Sequence, residues 1–402
     1  MADDSAERIE ISLSIATGMA GIDRAAWNAL ANPPDAPYDP FLDWDFLEAC
    51  ESSGCAAPDT GWTPRHMLAH DKRKKLIGAA PLYLKSHSRG EFVFDHSWAD
   101  ALHRVGGRYY PKLLCAVPFT PVTGRRLLAV GPHAPAIRQA LAGAIVETAA
   151  EAKVSSAHFN FLEEDTWRAL GASGLLLRED QQFHWINRGY KTFDDFLGAL
   201  ASRKRKMLRR ERREAQEGLT IERATGADLT PKHWDAFFNF YMDTGGRKWG
   251  SPYLNREFFA ALHERMADKC LLIIARRDGK PIAGALNMIG AETLYGRYWG
   301  RTEERPFLHF EICYYQAIEF AIERGLKRVE AGAQGEHKLA RGYEPQLTRS
   351  AHWIGHAGLR DAVGAYLDRE REAVETGIDE LNTFSPFRKG EAQVEEHDEE
   401  SF

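Results

Sequence analysis

Apolar positions along this chain recur with two periods, and the switches between them mark its elements. The run IEISLSI (residues 9–15) alternates, as an edge strand with one buried face does. Gly21–Leu30 and Phe41–Cys50 space Trp, Phe and Leu as helices do. Strands are predicted at Arg65–Ala69, Leu76–Leu84 and Glu91–Phe94, and a short helix at Trp98–Val105, ended by Gly106-Gly107. Lys112–Phe119 reads as an apolar strand entering a loop with Pro118 and Pro121. A helix over Pro135–Ala152, a strand over Ser156–Leu162 and a short helix over Glu164–Leu170 follow. Leu175–Arg178 and Phe183–Asn187 then read as a strand pair.

The second half repeats this order. Leu271–Arg276, Ile282–Ile289 and Thr293–Trp299 form a meander with a turn at Asp278-Gly279. A helix at Leu308–Glu323 stops before Gly325. Strand Arg328–Ala331, short helix His337–Gly342 and strand Thr348–Ile354 follow, and Arg360–Leu381 is a closing amphipathic helix. The first copy ends in QQFHWI (Gln181–Ile186) and the second in SAHWI (Ser350–Ile354), a weak internal repeat. Two tandem α/β domains are expected, at residues 1–190 and 219–385. A basic helix at 191–218 joins them, with Thr192 and Asp195 spaced as a capping pair. Residues 386–402, acidic and without periodicity, are expected to be a disordered tail.

Composition narrows the function classes. The net charge of −6 gives no global bias toward nucleic acid, so any polyanion must be met by a local basic patch, and DNA is not expected as a partner. The five cysteines have neither metal-ligand nor redox spacing, which reads as reduced thiols in a cytoplasmic protein with no metal. The acidic start lacks the plan of a signal peptide, and no apolar run reaches the ~20 residues of a membrane span.

Two long segments resemble a known family. FVFDHSWADALHRVGGRYYPKLLCAVPFTPVTGRRLL (Phe92–Leu128) and FLHFEICYYQAIEFAIERGLKRVEAGAQGEHKLARGYEPQLTRSAHWI (Phe307–Ile354) are similar to hallmarks of the bacterial FemAB-like, or predicted N-acyltransferase, family. The resemblance covers about Phe41 to Leu381 and implies two tandem domains of the GNAT acyl-CoA N-acyltransferase fold, with mixed sheets flanked by helices. It implies acyl or aminoacyl transfer to an amine, from acyl-CoA or aminoacyl-tRNA as a substrate rather than a resident cofactor, with a small molecule or cell-envelope precursor as acceptor. It does not fix the substrate. One departure stands out: where acetyl-CoA enzymes carry a Gln/Arg-x-x-Gly-x-Gly/Ala loop, this chain has Thr123-Gly124-Arg125-Arg126 in one half and Gly300-Arg301-Thr302 in the other.

Several side chains suit such chemistry. On a helical wheel Glu311 falls away from the solvated Gln316, Glu319 and Glu323, which suggests a general base or a carboxylate satisfying the helix start. His309 opens the same helix. His337 is a second candidate base, with Lys338 and Arg341 beside it to hold a phosphate or carboxylate. Tyr298, between Gly296 and Gly300, is a candidate substrate contact, set by alternation opposite Tyr295, Arg297 and Trp299. In the first half Asp95, His96 and Trp98 either cap a helix or line an acceptor pocket, and Lys112, Arg125 and Arg126 either bind phosphate or are surface cations. Arg203, Lys206, Arg209 and Arg210 belong to a cluster of eight Lys/Arg between Arg203 and Arg213, a face for tRNA or another polyanion. Cys313 sits mid-helix among apolar residues and reads as an inert buried thiol. The alternative to an enzyme is a non-catalytic tRNA- or precursor-binding module on the same fold.

Overall fold

The computed structural model describes residues 9–248, 252–332 and 335–388. Among these, the chain forms two compact units that interleave in sequence. One comprises residues 9–180, 252–267 and 347–374, the other 181–248, 268–346 and 375–388. The expected boundary near residue 190 is thus replaced by an exchange. Residues 184–186 pair with Arg328–Glu330 in the second unit, and residues 350–354 pair with Ser156–Asn160 in the first.

The first unit has two groups of strands. Ser12–Ala16, His66–His70, Leu76–Ala80 and Leu128–Ala129 form an antiparallel sheet in that order. Trp62–Pro64, Leu82–Lys85, Lys112–Cys115, Ser156–Asn160 and residues 350–354 form the other, with Lys112–Cys115 parallel to Ser156–Asn160. The single strand expected over 76–84 is broken at Pro81, which has no N–H for a ladder. The helix Ala134–Glu151 buries Ile137, Leu141, Ile145 and Ala149, at helical spacing, in one cluster with Met67, Leu82, Leu113 and Phe159.

The second unit is an antiparallel meander of Thr220–Thr225, Cys270–Arg277, Lys280–Ile289 and Thr293–Arg301. Arg328–Glu330 then runs parallel to Thr293–Tyr295. Its core joins Leu271, Ile273 and Leu294 of these strands to Ile312, Tyr315 and Ile318 of the long helix and to Phe196 and Leu208 of the basic segment. In each half a strand, long helix, parallel strand, short helix and strand follow one another, so the α/β order read from the repeat is present twice.

Local corrections have local causes. Residues 91–94 are not a strand: Phe92 is left-handed (φ 60°), which interrupts an extended run, and Glu91 is buried. Leu176–Ile186 is one strand rather than two. Its polar middle reads like a turn but is held by Arg178–Glu370 and Arg349–Glu179 ion pairs. The basic segment is two helices, Phe193–Ala199 and Ser202–Gln216; the Thr192/Asp195 capping pair forms at the first. The acidic tail from residue 389 lies outside the described residues.

Candidate active site

Strands Thr293–Arg301 and Arg328–Glu330 pair only through 293–295 and 328–330. Beyond that the pairing stops, and a cavity of about 80 Å³ opens, bounded by Asn287, Gly296, Tyr298, Trp299 and Ala331. A bulge shapes its wall: Leu286 pairs with Tyr298 but Asn287 with Gly296, so Arg297 is an extra residue. The bulge overturns the simple alternation expected for this strand. Leu294 and Trp299 now meet the same core cluster, while Tyr298 packs edge-on to Tyr241 (5.2 Å) and borders the cavity. The two glycines do different work. A Cβ at Gly300 would lie 2.0 Å from the Phe240 carbonyl oxygen, so Gly300 admits the helix Pro231–Lys248; Gly296 borders the cavity.

The long helix carries the opposite wall. Its regular pitch is interrupted by a π-helical turn at Glu311–Tyr315, after Phe307 enters with φ 60°. His309, Cys313 and Tyr314 border the cavity. His309 lies on Trp299 (centroids 4.5 Å) and edge-on to Tyr314 (5.2 Å). Cys313, expected to be inert in a core, is half-buried on the cavity wall. Glu311 faces the other way and is fully buried. Its oxygens accept from Arg212 Nε and Nη2 (both 3.2 Å), Gln216 Nε2 (2.8 Å) and Gln316 Nε2 (2.7 Å). Its inward direction therefore reflects a partner, the helix Ser202–Gln216, and not the cavity.

The short helical segment Glu336–Arg341 supplies the rest. His337 Nε2 and the Tyr314 hydroxyl are 2.9 Å apart. Partial burial, then Arg341 and Lys338, lower the His337 pKa, which keeps the ring neutral and able to accept a proton. Burial raises the Tyr314 phenol, so it stays protonated. Arg341 and Lys338 are placed differently from the expected anion holders. Arg341 binds Glu211 through Nη2 (2.9 Å) and Nε (3.2 Å) and the His337 carbonyl through Nη1 (2.7 Å). Lys338 is 1% exposed, donates to the Gly332 carbonyl (2.7 Å), and is pushed down to about 8 by burial.

On the helix Ser202–Gln216, Arg203, Lys206, Arg209 and Arg210 are exposed. Arg209 reaches Asp194 (3.1 Å) and Arg210 reaches Glu214 (2.6 Å). Sequence reasoning named neither Glu211 nor Arg212, the two inward members of this helix. Their spacing from Leu208 and Ala215 was the available signal.

In the first unit the expected pocket residues form a buried network. Lys112, 1% exposed, donates to Glu91 (2.7 Å), Ser88 (2.9 Å) and, through a short contact, Asp95. It is thus neither a phosphate ligand nor a surface cation. Asp95 does not cap its helix: it also accepts from Tyr109 (2.7 Å), and Lys112 holds its carboxyl below the ordinary range against the upward push of burial. His158 and His352, opposite one another across the strand pair, join through their Nδ1 atoms at 2.7 Å. Trp98 packs edge-on to His352 (5.0 Å), and His96 is exposed. Arg126, buried, donates to the carbonyls of Asn160, Arg125 and Val122; Arg125 donates to that of Pro37 (3.0 Å). Both arginines satisfy backbone carbonyls.

A long helix between two parallel strands, twice over, defines tandem GNAT-like α/β units, a fold of the aminoacyl- and acyl-transferase type. The chain belongs to the FemAB-like family, described as peptidoglycan biosynthesis/recognition, whose match spans residues 18–389. Among solved structures it is similar to FemX (TM-score 0.54, 15% identity, 85% of this chain and 98% of that one). It is also similar to the C-terminal DUF2156 domain of a putative lysylphosphatidylglycerol synthetase from Agrobacterium fabrum (TM-score 0.50, 11% identity, 88% and 97%). A tandem GNAT protein from the clavulanic acid biosynthesis pathway aligns at TM-score 0.45 (11% identity, 86% and 98%). At these identities the likeness is one of fold. Comparison with curated protein sequences gives no match. Among the described residues no helix is long and apolar enough to cross a membrane.

Proposed function

We propose that this protein transfers an aminoacyl or acyl group to an amine in the cavity of the second unit. The observation that carries this reading is the cavity itself: it opens where the parallel strands part, and His309, Tyr314 and Tyr298 border it. The amine nitrogen attacks the donor's carbonyl carbon, the new C–N bond forms, and the bond from that carbon to the carrier's oxygen or sulfur breaks. The amine's proton passes to the Tyr314 oxygen as the Tyr314 hydroxyl proton moves to His337 Nε2, 2.9 Å away. His337, an exposed residue, returns the proton through water to the leaving group. Glu311 has no part in the step.

The donor is proposed to be aminoacyl-tRNA, and the acceptor an amine of a cell-envelope precursor. The exposed basic face of Ser202–Gln216, in the same unit, supports a polyanionic carrier. Neither half has the glycine-rich loop that cradles a CoA pyrophosphate. The test is discharge of labelled aminoacyl-tRNA against labelled acyl-CoA in the presence of envelope precursors. His337→Ala and Tyr314→Phe should lower turnover by roughly 10²-fold or more. Discharge of acyl-CoA alone would reassign the donor; full activity in both variants would remove the proton path.

Binding of the carrier gives a separate check. Replacing Arg203, Arg209 and Arg210 by Ala should weaken tRNA binding more at low salt than at high, because exposed charges are screened beyond ~10 Å at ordinary ionic strength. Unchanged affinity at low salt would contradict the basic-face reading.

A further inference from the structure

The cavity of the second unit has on its wall a hydrogen-bond acceptor that the protein leaves unsatisfied. Asn287 is 1% exposed, and its Oδ1 has no hydrogen-bond partner. The amide's orientation is set from behind: Nδ2 faces the Leu271 carbonyl oxygen at 3.5 Å, so turning the group over would oppose two oxygens. Oδ1 lies 3.5 Å from where a side chain on Gly296 would begin, and both residues border the cavity. Glycine at 296 thus keeps the space over this oxygen open. Buried polar atoms are nearly always satisfied, and an unsatisfied one on a cavity wall marks where a ligand completes the bonding.

We infer that Asn287 Oδ1 receives an N–H of the ligand, so that the cavity selects a small primary amine over a hydrocarbon group of the same shape. The inference rests on the cavity being the transfer site. An amide oxygen accepts an N–H without adding negative charge, and so does not hold the amine as an ammonium the way a carboxylate would. At about 80 Å³ the cavity admits a head group of a few heavy atoms. Two groups in the reaction present this chemistry, the α-amino group of an aminoacyl donor and the nucleophilic amine of the acceptor.

Three probes separate these sources on the full chain by ligand-observed NMR titration. Alaninamide and isobutyramide have one shape and differ in amine against methyl, and n-butylamine carries the amine without the carboxamide. Wild type should bind alaninamide about tenfold or more tightly than isobutyramide. Asn287→Leu should bring that ratio close to one, and Asn287→Asp, which keeps an acceptor of the same size, should preserve the preference. Affinity for n-butylamine that also falls in Asn287→Leu assigns the contact to the acceptor's amine; n-butylamine indifferent to the substitution assigns it to the donor's α-amino group. Equal binding of alaninamide and isobutyramide, or a preference undiminished in Asn287→Leu or lost in a folded Asn287→Asp, overturns the inference and leaves the transfer reading standing. Failure of all three probes to bind overturns both.

Discussion

Glu311 shows how far a single residue can be read from its position in a helix. Its inward direction was legible from the wheel; its purpose was not, because the helix Ser202–Gln216 that covers it has no contact visible in one dimension. With four N–H groups converging on a fully buried carboxylate, Glu311→Gln turns an amide NH₂ against donors and leaves Arg212 short of a counter-charge. Chemical denaturation should show a loss on the order of 2–3 kcal/mol, since Arg212 keeps Glu319 (2.8 Å) as a second partner. Residual turnover per folded molecule should stay within a few-fold of wild type; a collapse of turnover at unchanged stability would restore Glu311 as a base. Gly300 is a second residue with a sharp expectation. A methyl group there meets the Phe240 carbonyl at 2.0 Å, so Gly300→Ala should cost about 3 kcal/mol or an expressed fold altogether. A melting temperature equal to that of wild type would contradict this packing.

At the level of elements, long periodic helices and strands were readable and their irregularities were not. The helix over 308–323 was expected as regular, yet the π turn within it brings His309, Cys313 and Tyr314 to one cavity. No residue type announces a π turn. The bulge at Arg297 was equally hidden, although the flanking glycines hinted at an interruption. The strand pair 156–160 with 350–354 yields a pH expectation. Burial, reinforced by Lys112, holds His158 down to about 3, and burial holds His352 well below its ordinary range, so both rings are neutral in the folded chain. Below pH 6.5 the unfolded chain takes up protons at these positions that the folded chain refuses, so their contribution is present above 6.5 and lost as pH falls toward 3. The stability gap between wild type and a His158→Gln/His352→Gln double variant should narrow as pH drops from about 6.5 to 4. A gap that widens over that window would reverse the assignment of neutral rings.

For the whole molecule, the repeat in the sequence foretold two like units but not their interleaving. The sequence pattern has the segments QQFHWI and SAHWI each closing its own half. Instead His184-Trp185 pairs within the second unit and His352-Trp353 within the first. Local pattern carries strand identity but not strand partner, so it implies contiguous boundaries. The cationic candidates Lys112, Arg126 and Arg341 failed as open anion sites for a related reason: a buried cation and a surface cation look alike until their carboxylates and carbonyls are found. The central claim, that transfer takes place in the cavity of the second unit, has a direct test in Cys313. It borders that cavity half-buried, whereas Cys50, Cys55, Cys115 and Cys270 are buried. Limited alkylation with a small maleimide, mapped by peptide mass spectrometry, should modify Cys313 first. Saturating donor should slow that modification, and transfer activity should disappear in step with it; a chain fully alkylated at Cys313 that still transfers at the wild-type rate would contradict the account.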